Sequence, residues 1–218
     1  MPKAPARAAP TVADRGAPVP APTRSVGTQP PDASAERSYR QGLTHYGAGR
    51  IDDALTAFEA ALALDPRHAG ATKATAAILV ERGHLAGAQR ILHAALELDP
   101  RQAELAALAA RIAQRQGDPA RALRLLERAV HDSAPAALYA AIAATLGAMH
   151  RDAQAIPHWL EALKRTPDRA PWWVGLGVAF ESAGRQADAA AAYDRALTLP
   201  ALPAEAAQFA RERLLALR

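Results

Sequence analysis

The chain has 218 residues, half of them apolar, with no cysteine and a formal net charge of +4. The lack of cysteine excludes disulfides, thiolate catalysis and thiolate zinc sites. A nucleic-acid binder should carry a dense basic stripe with interleaved aromatic residues, which this sequence does not show. It also has no run of about 18 apolar residues and no apolar core of a secretory signal at its start, so we expect neither a membrane span nor a signal peptide.

Residues 1–33 consist mainly of Pro, Ala, Arg, Thr and Gly, with almost no large apolar side chains. A stretch such as APVPAPTRSVGTQPPDAS buries too little apolar surface to offset the entropy lost on ordering. The composition predicts a disordered, partly extended Pro/Ala-rich linker. A Pro-rich ligand for a small recognition domain is the alternative to a simple spacer.

From residue 34 onward the sequence repeats with a period of about 34 residues. Gly49, Gly83 and Gly117 share one position of the repeat, which His150 and Gly184 occupy in the next two units. Three further apolar positions keep the same period: Ala54, Ala88, Ala122, Ala155 and Ala189; Phe58, Leu92, Leu126, Trp159 and Tyr193; Ala61, Ala95, Ala129, Ala162 and Ala196. Such a period indicates a solenoid of stacked units.

The fifth unit shows the expected local structure of each unit, two antiparallel helices. Trp173, Leu176, Gly177 and Phe180 lie at i, i+3, i+4 and i+7, which places them on one helix face. The GLG sequence lacks the third glycine of a dinucleotide-binding loop, so we interpret Gly177 as a packing residue that lets the second helix approach the first. Gly184 should end the first helix in a left-handed conformation.

Other units add local predictions. In unit three, Asp118 and Pro119 are typical of an N-cap followed by proline at the first helical position. In unit four, Pro157 should kink the second helix or shift its start. Unit one has no preceding neighbour, and its outer face is expected to be polar, with Ser38, Gln41 and His45.

The repeat resembles the tetratricopeptide repeat (TPR) family over roughly residues 35–200. The residues that carry the resemblance best are those of unit five: Trp173, Leu176, Gly177, Phe180, Gly184, Ala189, Tyr193, Ala196 and Pro200. The resemblance implies an all-α fold, a right-handed TPR superhelix (α-solenoid) of about five helical hairpins. We expect residues 34–218 to form one TPR domain with repeats at about 35–68, 69–102, 103–135, 136–169 and 170–202. A capping helix should follow at residues 203–217.

No catalytic motif of the G-x-S-x-G, P-loop or H-E-x-x-H type occurs. The seven histidines are scattered, without helical ligand spacing. The sequence therefore predicts a non-enzymatic protein with no catalytic residues, no metal site and no cofactor.

The resemblance implies instead that the first helices line a concave groove for a peptide or a partner's helix. The expected groove residues are Tyr39, Leu43, Tyr46, Lys73, Ala77, Val80, Arg111, Gln114, Ala140, Ala144, Val174 and Val178. The middle of this groove should be basic, so that an acidic group of the partner can meet Lys73 and Arg111. Its C-terminal end should be smooth and apolar.

The C-terminal segment PWWVGLGVAFESAGRQADAAAAYDRALTLPALPAEAAQFARERLLAL resembles the repeat proteins of mannose-sensitive haemagglutinin (MSHA) type IV pilus biogenesis in Gram-negative bacteria. That resemblance implies a scaffold at the periplasmic face of the inner membrane. The membrane helix of those proteins is absent from this chain, which leaves a cytoplasmic location open. The alternatives are a cytosolic TPR adaptor or regulatory module, and the non-catalytic repeat portion of an enzyme complex. The capping helix favours a monomer.

Overall fold

The computed structural model describes residues 31–217, and within that range the chain forms eleven α-helices and no strand. The helices are α1 (Pro31–Gly47), α2 (Ile51–Leu64), α3 (Ala69–Glu81), α4 (Leu85–Leu98), α5 (Ala103–Arg115), α6 (Pro119–Arg128), α7 (Ala136–Ala148), α8 (Asp152–Arg165), α9 (Ala170–Ser182), α10 (Gln186–Thr198) and α11 (Ala204–Ala216). Most of the predicted linker, residues 1–30, lies outside the described residues. Its last three residues belong to α1, which begins with a proline, a residue favoured in the first helical turn.

Successive helices pair into five hairpins, α1–α2 to α9–α10, and α11 packs on the last of them. From the second hairpin onward, the first helix of each hairpin also contacts the first helix of the next, in the order α3, α5, α7, α9 and α11. This arrangement confirms the predicted all-α solenoid.

One turn geometry joins the two helices of every hairpin. Gly184 has a φ of +74°, its N–H donates to the Glu181 carbonyl at 2.9 Å, and the Arg185 N–H donates to the Phe180 carbonyl at 2.8 Å. These two bonds satisfy carbonyls that a helix end otherwise leaves free, and they confirm the predicted left-handed position. His150 forms the same turn with a φ of +57°.

In the first and last hairpins, the close approach of the two helices depends on a glycine in the first helix of the pair. A Cβ on Gly177 would lie 2.6 Å from Cε1 of Tyr193 on α10, and one on Gly42 would lie 2.4 Å from Cε1 of Phe58 on α2. Both distances are far below van der Waals contact. Gly177 is thus the packing residue that the sequence predicted.

The buried residues form two separate hydrophobic clusters. The smaller one contains Ala54, Phe58 and Ile78, and Tyr39 packs against it. The larger one runs from α3 to α11 and includes the alanines of the repeat, among them the fully buried Ala122. The small cluster therefore joins α2 of the first hairpin to α3 of the second, and the large cluster is continuous from α3 to α11.

The structure also tests the local predictions at helix ends. The Asp118 carboxylate accepts from the Arg121 N–H at 2.8 Å, directly before Pro119, which confirms the predicted N-cap. Pro157 lies inside α8, which still begins at Asp152 and keeps the register of α6 and α10. The predicted shift of the helix start is therefore wrong, since the helix continues through the proline.

Helix α11 covers the end of the last hairpin. The Arg213 guanidinium forms two hydrogen bonds to the Glu181 carboxylate of α9. The same carboxylate accepts from the Tyr193 hydroxyl at 3.0 Å, and the Phe209 ring meets the Tyr193 ring edge-on at 6.1 Å between centroids. Helices α9, α10 and α11 meet in these contacts. An ion pair and an aromatic contact therefore hold α11 on the last hairpin.

Candidate partner-binding groove

An open cavity of about 280 Å³ lies between α1 and α3. Tyr39, Leu43 and Tyr46 line it from α1, at the spacing of i, i+4 and i+7 that puts three side chains on one helix face. Lys73 and Ala77 line it from α3. The structure thus brings five of the predicted groove residues together.

The cavity presents large apolar side chains to solvent. Leu43 is 45% exposed and Tyr46 is 43% exposed, and Phe58 from the small cluster forms part of the wall. Gly70 contributes to the opening because a Cβ there would lie 2.8 Å from Cζ of Tyr39. A larger residue at position 70 would close the space between α1 and α3.

A polar link joins α1 to α3 beside this cavity. Nδ1 of His68 accepts from the Ala71 N–H at 3.1 Å, so its Nε2 carries the proton and faces the Glu36 carboxylate at 3.3 Å. Hydrogen bonds from Arg40 and then from His68 hold the pKa of Glu36 below its usual value. The His68 ring also packs on Tyr39, with 4.7 Å between centroids, which fixes the position of this tyrosine at the rim of the cavity.

A second cavity, of about 410 Å³, adjoins the first between α3 and the start of α5. Tyr39, Gly70 and Lys73 line both cavities. In the second, Nζ of Lys73 lies 2.5 Å from Oε2 of Glu104. Oε1 of Gln102 is buried there and has no hydrogen-bond partner within residues 31–217. The two cavities form one groove with an apolar part and a polar part.

The middle of the predicted groove is less basic than its sequence indicates. The Lys73 ammonium is paired with Glu104, and Gln114 donates to the Thr145 hydroxyl at 2.8 Å, which ties α5 to α7. Arg111 is exposed and forms no ion pair within the described part of the chain. Of the two basic residues predicted for this part of the groove, Arg111 is therefore the one whose charge is not compensated within residues 31–217.

The remaining predicted groove residues differ in exposure. Ala140 is buried, at 6% exposed, and offers almost no surface to a partner. Ala144 is exposed, and Val178 is 36% exposed. Val80 and Val174 are half-buried. The C-terminal end of the groove thus presents small apolar groups without a cavity comparable to the one at α1.

Several residues that line the groove were not among the predicted ones, including Gly70, Phe58, Gln102 and Glu104. Phe58 occupies a core position of the repeat, and only the open space between α1 and α3 exposes its edge to the cavity. Gln102 and Glu104 lie at the start of α5, a position that the groove assignment by helix face does not include. The sequence could have indicated this ion pair, because the acidic Glu104 follows Lys73 by 31 residues, close to one repeat length.

The groove holds no arrangement typical of metal chemistry. Residues 31–217 contain no group of three or more His, Asp or Glu side chains placed to hold a metal ion. None of the helices described for this chain has both the length and the apolar character needed to cross a bilayer. The chemistry that the groove supports is the binding of apolar side chains, with polar groups along one edge.

Comparison with known proteins agrees with this architecture. Two tetratricopeptide repeat models match the chain, one at residues 45–112 and 79–146 and the other at residues 141–207. No curated protein matches the sequence.

Several solved structures share the fold. PilF of Pseudomonas aeruginosa is 17% identical with a TM-score of 0.67, and the match covers 86% of this chain and 90% of PilF. YrrB, described as a TPR protein with an unusual peptide-binding site, is 18% identical with a TM-score of 0.65 and coverages of 82% and 92%. MamA is 19% identical with a TM-score of 0.64 and coverages of 78% and 98%. At these identities the likeness shows the fold alone.

Proposed function

Because this chain belongs to the tetratricopeptide repeat family, whose domains bind protein partners, we propose that it is a non-enzymatic scaffold that binds a partner's peptide or helix in its groove. The observation that carries the proposal is the open cavity between α1 and α3, where Leu43 and Tyr46 are exposed on one helix face. Contiguous exposed apolar surface of this kind is typical of an interaction site.

The chemistry of the cavity defines the part of the partner that enters it. Leu43, Tyr46 and Phe58 provide apolar walls, so an aliphatic or aromatic side chain of the partner gains about 1.5–3 kcal/mol when it leaves water there. Gln102 lines the adjoining polar part of the groove. Its Oε1 is buried, so it can accept from a backbone N–H of an extended peptide once the side chain turns towards the groove. Arg111, further along the groove, is free to meet an acidic group of the same partner.

We further propose that the scaffold acts in type IV pilus biogenesis. The support is the resemblance of the C-terminal segment to MSHA pilus biogenesis repeat proteins, together with the structural similarity to PilF, which hints at the same process. The structurally similar YrrB is described as having an unusual peptide-binding site, and this supports the binding of a peptide in the proposed groove.

The test compares two substitutions of equal exposure on opposite helices of the first hairpin. Leu43 lines the groove, and Leu64 lies on α2 outside it, and each is 45% exposed. The full chain, Leu43→Glu and Leu64→Glu serve as baits in crosslinked pull-downs from cell envelope and cytosol, with the captured proteins identified by mass spectrometry.

We expect the full chain and Leu64→Glu to capture the same pilus assembly proteins, and Leu43→Glu to lose them. Capture of pilus proteins that survives Leu43→Glu would contradict binding in the groove. Loss of a purely cytosolic set of proteins with Leu43→Glu would support the groove and contradict the role in pilus biogenesis, in favour of a cytosolic adaptor.

A further inference from the structure

The first 30 residues of the chain join the described part at the edge to which the larger cavity extends. The N-terminal ends of α3 and α5 line the larger cavity, and α1 begins at Pro31 on the same edge. Tyr39 follows Pro31 by eight residues, or about 12 Å along the helix axis. The segment before Pro31 is therefore attached within a short distance of the groove.

This segment contains a stretch whose chemistry suits the cavity. Residues 17–22 read APVPAP, with Val19 between two prolines. Pro-rich sequences favour the polyproline II conformation, which is recognised by grooves lined with aromatic residues. Val19 supplies one apolar side chain of a size that the cavity of about 280 Å³ accommodates.

The spacing of the cavity walls matches such a segment. Tyr39 and Tyr46 lie seven residues apart on α1, or roughly 10 Å along the axis. The four steps from Pro18 to Pro22 span about 12 Å in the polyproline II conformation. Both tyrosine rings can therefore contact the same short stretch.

Polar groups at the groove edge complement the residues around this stretch. Proline has no N–H, so Val19 and Ala21 hold the only backbone donors between Pro18 and Pro22. The Gln102 side chain, whose buried Oε1 has no partner in the described chain, can accept from one of them once it turns towards the groove. Arg24 lies two residues after the stretch, and the Glu104 carboxylate, which pairs with Lys73, remains exposed at the edge of the groove.

The connecting residues are long enough. Residues 23–30 span up to about 26–29 Å when extended, which exceeds the distance along α1 from Pro31 to Tyr46, about 22 Å. A tether this short holds the segment at an effective concentration in the millimolar range, so even weak intrinsic affinity is enough for occupancy.

We propose that residues 17–22 of this chain occupy the cavity between α1 and α3 when no partner is bound. A partner must then displace the chain's own N-terminal segment before it enters the groove. This regulatory consequence rests on the proposed function, whereas occupancy of the cavity is measured without any partner.

The test uses the full chain, whose lack of cysteine allows a single spin label. A nitroxide is attached at Ala13→Cys, and paramagnetic broadening of amide signals is recorded by NMR. The reference is the same labelled chain with residues 17–22 replaced by Gly and Ser. The matched control replaces residues 5–10 (PARAAP) in the same way.

We expect strong broadening at Gly70, Ala74 and Ala77 in the full chain and in the 5–10 control. The broadening should fall to a weak, diffuse level in the 17–22 replacement and in Leu43→Glu, and persist in Leu64→Glu. Equal broadening with and without residues 17–22 would overturn the proposal. So would broadening of a ¹⁵N-labelled, nitroxide-free chain by an unlabelled chain that carries the nitroxide, because the occupant would then be a second copy.

A binding measurement tests the same occupancy with a defined probe, a synthetic peptide of residues 14–26. The 17–22 replacement should bind this peptide roughly 5- to 10-fold more tightly than the full chain, because its cavity is free. Equal affinities would overturn occupancy by the chain's own segment. If the label and the peptide give the expected results but pull-downs capture no groove-dependent partner, the proposed function fails and occupancy of the cavity stands.

Discussion

The first and last hairpins are built on the same pattern but are held in the molecule differently. In each, an aromatic residue of the second helix packs over a glycine of the first: Phe58 over Gly42, and Tyr193 over Gly177. Phe58 belongs to a cluster of three buried residues, whereas Tyr193 belongs to the continuous core from α3 to α11.

The difference shows that equal local patterns do not give equal stability in a stacked protein. The stability of each hairpin is the sum of its own contacts and those with its neighbours. The last hairpin has α11 on its outer side, with the Glu181–Arg213 ion pair, whereas the first has a neighbour on one side only among the described residues. The candidate groove is therefore built on the hairpin that we expect to open most easily, as is common for binding regions.

The largest expected effect comes from removing the two equivalent aromatic residues. Tyr193 is fully buried and Phe58 is 1% exposed, so each change to alanine should cost about 3–5 kcal/mol in the region it supports. We expect Tyr193→Ala to lower protection from hydrogen exchange throughout α7–α11, and Phe58→Ala to lower it in α1 and α2 while α7–α11 keep theirs. Hydrogen exchange with mass spectrometry measures both.

The same experiment tests whether the small and the large cluster are energetically separate. If Phe58→Ala loosens every helix to the same extent, the first hairpin is part of one cooperative unit with the large core, and the two clusters are not energetically separate.

Overpacking the large core should have a smaller effect. Ala122 and Ala155 are fully buried, so Ala122→Leu and Ala155→Leu should each cost roughly 1–3 kcal/mol, which lowers the melting temperature by about 2–12 °C. The control is Ala120→Leu, because Ala120 is exposed on the same helix as Ala122. Unchanged melting of Ala122→Leu would contradict the close contact between α5 and α6.

The hydroxyl of Tyr193 should make the free energy of unfolding depend on pH, whereas Phe58 has no ionisable group. Burial raises the pKa of Tyr193 to about 12, above the ordinary value of about 10. The folded chain keeps this proton at a pH where the unfolded chain releases it, so the free energy of unfolding should fall as the pH rises from about 10 to 12. Between pH 9 and pH 11 we expect a fall of about 1 kcal/mol from this group, measured by urea denaturation.

The control for this pH dependence is a second tyrosine. Tyr193→Phe should lose the alkaline fall, since phenylalanine has no proton to release. Tyr46→Phe should retain it, because Tyr46 is 43% exposed. An identical fall in Tyr193→Phe and in the unchanged chain would assign the effect to other groups.

The sequence predicted the hairpins well because their determinants are local and repeated. Gly184, Asp118 and Gly177 each have one physical role that a single position dictates: a left-handed turn, a helix cap and a close approach. For Pro157 only the predicted shift of the helix start was wrong, because the start of α8 depends on how the neighbouring helices hold it, which no single position shows.

The candidate groove was less predictable because it depends on distances between units. Helix-face periodicity placed Tyr39, Leu43 and Tyr46 on one side of α1, and the structure puts all three at one cavity. It could not show that α1 stands away from α3, or that Glu104 neutralises Lys73. Both features arise from packing between repeats, which the periodicity of the sequence does not indicate.

The smallest expected effect concerns the exposed turn between α7 and α8, two helices that contribute to the large core. Of the five turns within hairpins in residues 31–217, this one has His150 where the others have glycine, and its φ is +57°. A left-handed conformation costs a residue with a Cβ roughly 1–2 kcal/mol, and the greater entropy loss of glycine offsets part of that gain. His150→Gly should therefore raise the free energy of unfolding by about 0.5–1 kcal/mol, since the exposed histidine ring gives up little packing. His150→Ala keeps the Cβ and should gain nothing, so equal melting temperatures for the Gly and Ala variants would show that the turn is not strained. A gain with glycine alone would mean that the hairpins of the large core, which we expect to be more stable than the first hairpin, still include one turn position that lowers their stability.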